Sequence, residues 1–160
     1  MDISEVDKSY LAGIIDGEGC ISVSKNPRNG RNYYRLILDI TTTSNELNQW
    51  LEDKFGGIVR TTYARNKNRT DMQGWTVSGN QCQDILRLTL PYLIIKKHQA
   101  ELALLMTFGE YGGSCRWGYS DDEETLRGMV MDEIHQFNHK NGNKGSYIRV
   151  SIKENICHTS

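Results

Sequence analysis

Apolar residues recur along this chain first at helical and then at strand spacing. Tyr10, Leu11, Ile14 and Ile15 fall at the three- and four-residue steps of a helix. Ser4 and Asp7 precede them at the spacing of a capping box, and Asp7 can equally be the cap itself. This helix should end near Gly17 or Gly19. Cys20 to Ser24 then alternates as a strand, Asn26 to Gly30 reads as a turn or loop, and Tyr33 to Thr43 reads as a second strand. In the second strand Tyr34, Leu36, Leu38 and Ile40 share one side, and Tyr33, Arg35, Ile37 and Asp39 share the other. The two strands form a hairpin.

The pattern then repeats. Asn45 to Phe55 is a short helix with Ser44 near its cap, Leu47, Trp50 and Leu51 inward, and Gly56-Gly57 as its stop. Ile58 to Arg65 is a third strand, 66–71 a polar loop, and Met72 to Ser78 a fourth strand with Trp75 and Val77 on the core face. Gly79 breaks it, and Asn80 caps a helix to about Leu88. Pro91 opens a further helix through Met106, and Gly109 to Gly118 is a glycine-rich aromatic loop. Ser120 caps a last helix to about Phe137, with four acids in its first turn. A polar loop follows from 138 to 145, then a short strand or ordered tail at 146–152.

Helix, strand, strand, helix, strand, strand, helix and further helices make an α+β domain: a four-stranded antiparallel sheet with helices on one face. The opposite face carries Ser22, Ser24, Arg35 and Asp39, with Arg60 and Thr76, and is too polar to bury. Such a face either meets water or lies in a nucleic-acid groove.

Composition narrows the class. The 160 residues, 38% hydrophobic and 24% charged, fit one globular domain, with a core at about 8–137 and a tail at 138–160. No apolar run is long enough for a membrane-spanning helix, and no secretory signal opens the chain. The four cysteines lack zinc-finger spacing and read as reduced thiols. The net charge of −1 speaks against a nucleic-acid binder, but its distribution does not. Acids dominate 1–18 and 120–133, whereas 19–70 holds Lys25, Arg28, Arg31, Arg35, Lys54, Arg60, Arg65, Lys67 and Arg69 against Asp39, Glu46, Glu52 and Asp53. Either one face of the molecule is basic or the segregation is that of an ordinary solvated surface.

The end of the first helix reads Leu11-Ala12-Gly13-Ile14-Ile15-Asp16-Gly17-Glu18-Gly19. Ala12 and Gly13 permit close backbone approach, and a helical glycine costs about 1 kcal/mol relative to alanine unless packing requires it. Acids at a helix C-terminus oppose its dipole, a conflict that a bound cation removes. Carboxylate and carbonyl oxygens are hard ligands suited to Mg²⁺. The alternative is a surface helix with a glycine cap and a stray acidic pair.

The nonapeptide LAGIIDGEG resembles the signature helix of the LAGLIDADG homing endonucleases, in residue identity, in N-terminal position and in the two hairpins that follow. Pro91-Tyr92-Leu93-Ile94-Ile95-Lys96-Lys97-His98-Gln99-Ala100 resembles the lysine-containing helix start of single-motif members. The resemblance implies the αββαββα fold with additional C-terminal helices. It also implies an intron-encoded enzyme that hydrolyses double-stranded DNA with Mg²⁺, with Mn²⁺ substituting and Ca²⁺ binding without cleavage. By the same resemblance Glu18 binds the catalytic metal, the Gly17 carbonyl assists, and Lys96 stands beside the scissile phosphate. Lys97 and His98 are the alternatives in a neighbouring register. Thr42 and Glu46 fall near the pocket, where the acid of Glu46 departs from the family pattern. One signature copy implies a homodimer, with Leu11, Ala12, Gly13, Ile15 and Asp16 at the helix contact and Asp16 capping the partner helix. The target is then long and pseudo-palindromic, cut across the minor groove to leave short 3′ overhangs.

The open sheet face would read the DNA. Arg35 offers guanine a bidentate pair, joined by Ser22, Ser24, Tyr33, Asp39, Arg60, Thr62, Gln73, Thr76 and Ser78. Arg28, Arg31, Arg65, Lys67 and Arg69 lie in or beside loops that reach phosphates or outer bases. Two rivals share the fold: a maturase that binds intron RNA and a regulator that binds DNA without cutting. The expected place of action is an organelle or a prokaryotic cytoplasm. His135 and His139 stand four apart but lack a third metal ligand, and Asn68-Arg69-Thr70 is a glycosylation acceptor in a chain without a secretory signal.

Overall fold

The structure, a computed structural model, describes residues 3–28, 30–62, 72–106 and 120–139, and at Arg28, Arg31 and Thr62 it describes the backbone alone. The elements run α1 (Glu5–Glu18), β1 (Gly19–Arg28), β2 (Arg31–Thr42), α2 (Asn45–Phe55), β3 (Ile58–Thr62), β4 (Met72–Ser78) and α3 (Asn80–Thr89). A 3₁₀ turn (Leu90–Tyr92), α4 (Lys97–Leu104) and α5 (Asp121–His139) follow. The strands pair antiparallel in the order β1-β2-β4-β3. The α+β architecture with helices on one face of a four-stranded sheet is therefore observed.

Ser4, not Asp7, is the cap of α1. Its hydroxyl accepts from the Asp7 N–H at 3.2 Å, and the Asp7 carboxylate accepts from the Ser4 N–H at 3.0 Å, so the two orphan donors are satisfied reciprocally. These bonds, ahead of the Lys54 ammonium, hold the Asp7 carboxyl below its ordinary value. At the other end, Gly19 is needed for close approach: a Cβ there would stand 2.7 Å from the Ile15 carbonyl oxygen.

Strand alternation places the core. Ile21 and Val23 of β1, Leu36, Leu38 and Ile40 of β2, and Trp75 and Val77 of β4 are buried. Against them pack Leu11, Ala12 and Ile15 of α1, Leu51 of α2, Leu86 of α3, Ala100 of α4 and Ile134 of α5. The Trp75 indole N–H finds a partner in the Gly56 carbonyl at 2.7 Å. Gly57, at φ 93°, would bring a Cβ to 2.8 Å from that indole nitrogen, so glycine there serves both the turn and the tryptophan.

Several boundaries differ from the sequence reading. β1 continues through Asn26 and Pro27 to Arg28, which pairs with Arg31, so the expected loop shrinks to a two-residue turn with Gly30 at φ 75°. Pro27 is tolerated because β1 is an edge strand. Gly79, at φ 61°, is the N-cap of α3, and Asn80 is its first residue rather than its cap. Pro91 does not open a long helix. It sits in the 3₁₀ turn, Leu93 is extended, and α4 begins only at Lys97. Ser120 caps α5 as expected, its hydroxyl accepting from the Glu123 N–H at 3.2 Å. The aromatic loop, the tail beyond 139, Cys115 and Cys157 lie outside the described residues. Among those described, Cys20 and Cys82 are free thiols, and no helix is long and apolar enough to cross a membrane.

Gly19→Ala forces the α1–β1 junction apart and is expected to cost about 1–3 kcal/mol, read as a lowered midpoint in chemical unfolding. Gly13→Ala, whose Cβ meets nothing within 4 Å, is expected to leave the protomer as stable or up to about 1 kcal/mol more so.

Candidate active site and nucleic-acid interface

The last turn of α1 delivers two acids and two glycines to the start of β1. Both oxygens of the Asp16 carboxylate are engaged: Oδ2 accepts from the Ile94 N–H at 2.8 Å and Oδ1 from the Lys96 N–H at 2.9 Å. It therefore caps the turn ahead of α4 in its own chain, and the expectation that it caps a partner's helix is corrected. Lys96 answers by donating its ammonium to the Asp16 carbonyl at 2.6 Å. A cation thus sits at the negative end of a helix with no basic residue of its own in the last turn.

Glu18 differs from its neighbours. Glu5 pairs with Lys8, Asp7 with Ser4 and Lys54, and Asp16 with the two backbone N–H groups. Of the four acids on α1, Glu18 alone has no hydrogen bond or ion pair to any described residue, and it is exposed. Among the described residues no three His, Cys, Asp or Glu side chains cluster closely enough to hold a metal ion. What the helix end offers is smaller: the Glu18 carboxylate and the Gly17 carbonyl. Magnesium characteristically takes one or two carboxylates, keeps several waters and adds substrate phosphates. The residues present fit such a site, completed by groups from outside the chain.

The other proposed pocket residues are placed differently. Thr42 accepts the Ser44 N–H at 3.1 Å, and Glu46 accepts the Ser44 hydroxyl at 3.0 Å, so both belong to the capping turn of α2. The backbone N–H of Glu46 itself and the bond from Ser44 hold the Glu46 carboxyl low. Lys97 and His98 are exposed on the first turn of α4. His98 lies 3.9 Å from Glu101 and edges the Phe137 ring. Lys96 is the residue of this group bonded to the end of α1. Cys20, next on the sheet, has its thiol pushed up by burial and by Asp39, with Lys96 opposing.

The register assigns the open face. Cys20, Ser22, Ser24 and Asn26 stand opposite Asp39, Ile37, Arg35 and Tyr33, and Ile37, Asp39 and Thr41 stand opposite Ser78, Thr76 and Gly74. Arg60 faces Gly74, and the Thr62 backbone pairs with Met72 at the same parity. Two cross-strand bonds join side chains here: Arg35 Nη2 to the Ser78 hydroxyl and the Thr76 hydroxyl to Asp39, each 2.6 Å. Gln73 is a correction. It lies on the helix side, paired with Thr42, and its side chain accepts from Asn48 at 3.3 Å. The side chains of Arg28, Arg31 and Thr62, and all of Arg65, Lys67 and Arg69, lie outside what is described.

Leu11, Ala12 and Ile15 are also corrected. All three are 0% exposed within the chain's own core and offer no surface to a second copy. A helix has two sides, and these residues are on the sheet side. The opposite side presents Val6, Tyr10, Gly13 and Gly17, with Ile94 and Ile95 exposed nearby in sequence to the Asp16 bonds. Sequence reading gave Val6, Ile94 and Ile95 no interface role, and their exposure appears only once the fold is known. It also passed over Asn138 of α5, which donates to the Ile21 carbonyl at 2.9 Å and accepts from Gln99 at 2.8 Å. An open surface depression of about 360 Å³ lies between Tyr34 and the start of α5, rimmed by Asp121 and Glu124, and is unsuited to an anionic ligand.

No protein-family model matches the sequence, and no curated protein sequence matches it. Solved structures match in fold. The homing endonuclease I-CvuI, in complex with its target in the presence of calcium, aligns at 23% identity over 89% of this chain and 87% of its own, with a TM-score of 0.66. The archaeal intron-encoded homing endonuclease I-Vdi141I, complexed with DNA, aligns at 17% identity over 89% of this chain and 90% of its own, TM-score 0.67. The LAGLIDADG homing endonuclease I-GzeII, in complex with a DNA target, aligns at 16% identity over 88% of this chain but 46% of its own, TM-score 0.55. The chain has the fold of these endonucleases.

Asp16→Ala removes the acceptor for two backbone donors. The expected result is faster hydrogen exchange at the Ile94 and Lys96 amides and a loss of about 0.5–2 kcal/mol of stability, the usual range for a lost cap.

Proposed function

We propose that this chain is a LAGLIDADG homing endonuclease: a magnesium-dependent, site-specific enzyme that cleaves double-stranded DNA as a homodimer. The observation that carries the proposal is Glu18, the one acid of α1 left unengaged among the described residues, at the helix end where the polar sheet face begins. The fold shared with I-CvuI and I-Vdi141I, both described with DNA, supports a nuclease role for that helix end.

In this reading Glu18 and the Gly17 carbonyl hold Mg²⁺, with Mn²⁺ able to replace it and Ca²⁺ binding without cleavage. When bound, the ion supplies Lewis-acid charge for hydrolysis of the phosphodiester. Lys96 has three N–H donors and spends one on Asp16. Its remaining donors serve a phosphate oxygen, stabilising the negative charge that grows in the pentacovalent state. Asp16, by holding the Lys96 backbone, fixes the position of that ammonium. The work of the side chains is positional and electrostatic.

A single chain supplies half of a symmetric site. I-GzeII is about twice as long as the matched segment, which supports reading this chain as one of two copies. The outer side of α1 supports it further: Val6 is 77% exposed, Tyr10, edge-on to the Trp50 ring, is 56% exposed, and Gly13 and Gly17 meet nothing within 4 Å. A second α1 packed there in an isologous contact places two Glu18 residues near the axis and two sheets end to end. The target is then long and pseudo-palindromic, read in the major groove and cut across the minor groove to leave short 3′ overhangs.

Selection of cleaved products from a randomised duplex library in Mg²⁺ is expected to return such a site with the unchanged protein and nothing with Glu18→Gln. Equal cutting by both proteins would sink the role of Glu18, and specific duplex binding with no cut would favour a non-catalytic binder. Separately, Gly13→Leu is expected to leave the protomer folded while light scattering shows the dimer lost. A dimer that persists in the Gly13→Leu variant would rule out this helix contact.

A further inference from the structure

A face that meets DNA gains from cations, yet the middle of this one holds an acid. Asp39 is the only acid on the open face of the sheet among the described residues. Against a phosphate its charge is repulsive, so a general role in affinity is excluded. Against a base edge the same carboxylate is selective. Ionised, it only accepts hydrogen bonds, and the N4 amino group of cytosine is the donor in the major groove that suits it.

Asp39 is also held. Thr76, directly opposite on β4, donates its hydroxyl to Oδ1 at 2.6 Å, which leaves Oδ2 to accept from elsewhere. Arg35 is held in the same manner, its Nη2 donating to Ser78 at 2.6 Å. A guanidinium has five N–H donors, so the bidentate edge for guanine O6 and N7 survives that bond. The two anchoring hydroxyls are two residues apart on one strand and on one face. At 3.3–3.4 Å per residue that is about 7 Å, or about two base pairs at 3.4 Å each.

Resting on the DNA-reading role proposed above, we infer that Asp39 and Arg35 are a prearranged pair of base readers. In each half-site Asp39 selects a cytosine and Arg35 a guanine about two base pairs away. Asp39 shares its rung with Cys20, two residues beyond Glu18, whereas Arg35 lies farther along β2. The cytosine position is therefore the one nearer the cut. The third and fourth members, Thr76 and Ser78, touch no base and act as positioning residues.

The test compares selected sites for the unchanged protein, Asp39→Asn, Arg35→Ala and Thr76→Val, as Ca²⁺-dependent binding and Mg²⁺-dependent cleavage. Asparagine keeps the acceptor for Thr76 but adds a donor, so Asp39→Asn is expected to move the inner preference from C·G towards A·T by at least about fivefold. Arg35→Ala is expected to relax guanine discrimination by a similar factor at one position, about two base pairs outward. Thr76→Val is expected to blunt the inner preference without changing the favoured base, which a purely structural role for Asp39 would not produce. A defined site that Asp39→Asn and Arg35→Ala leave unaltered, or alter at the same position, overturns the inference and leaves the endonuclease standing. If the unchanged protein selects no duplex in either ion, the proposed function fails and the inference with it.

Discussion

The Asp16 carboxylate, closed on the Ile94 and Lys96 N–H groups, is the contact on which the arrangement of the site depends. An acid in the last turn of a helix is electrostatically misplaced, because the carbonyl end of the dipole is already negative. Two backbone donors offset that cost, and the Lys96 ammonium on the Asp16 carbonyl adds the opposite charge. The same bonds end the 3₁₀ turn, hold the residue before α4 and bring a lysine distant in sequence to the end of α1. Gly19 completes the junction, since only a residue without Cβ allows β1 to leave so close to Ile15. Helix end, lysine and first strand are therefore fixed by one set of short contacts.

That junction explains why α1 has two unlike faces. Leu11, Ala12 and Ile15 are consumed by the protomer's own core. Gly13, by contrast, meets nothing, and a helical glycine that meets nothing costs about 1 kcal/mol with no return inside the protomer. Val6, Tyr10, Ile94 and Ile95 leave large apolar side chains in water. Burial of apolar surface is worth about 25 cal/mol per Å², so the protomer forgoes stability on this side. A second α1 pressed against the glycine, as proposed above, would recover it.

The sequence was most legible where a period decides the answer. Strand alternation placed Leu36, Leu38, Ile40, Trp75 and Val77 inward and Arg35, Asp39 and Thr76 outward, and the structure agrees. It was least legible where a cap or a register decides. Gln73 has the polarity of an open-face residue, but its pairing with Thr42 puts it on the helix side, where Asn48 meets it. Pro91 has the look of a helix start, but the bonds from Asp16 form only once residues far apart in sequence meet, and they delay α4 to Lys97. The assignment of Leu11, Ala12 and Ile15 to a helix–helix contact failed for a related reason: a signature stretch covers every side of its helix, and identity alone does not say which side faces the core.

A net charge of −1 does not argue against DNA binding by this chain. Some of the acids are paired within the helix layer: Glu5 and Asp7 with Lys8 and Lys54, and Glu123 with the buried Arg127. Those acids also belong to the helix side of the sheet. A helix layer with its side chains is about 10–12 Å thick, whereas salt at physiological strength screens exposed charges beyond about 8 Å. A duplex laid on the open face, as proposed, would respond to Arg35, Arg60, Asp39 and the helix end, not to the sum over the molecule. The one acid of α1 without a partner among the described residues lies where that face begins, and on the proposed reading a divalent cation there would turn a repulsive carboxylate into a bridge to phosphate. Charge counted over the whole chain misses this, because the quantity that governs binding is the field at one surface.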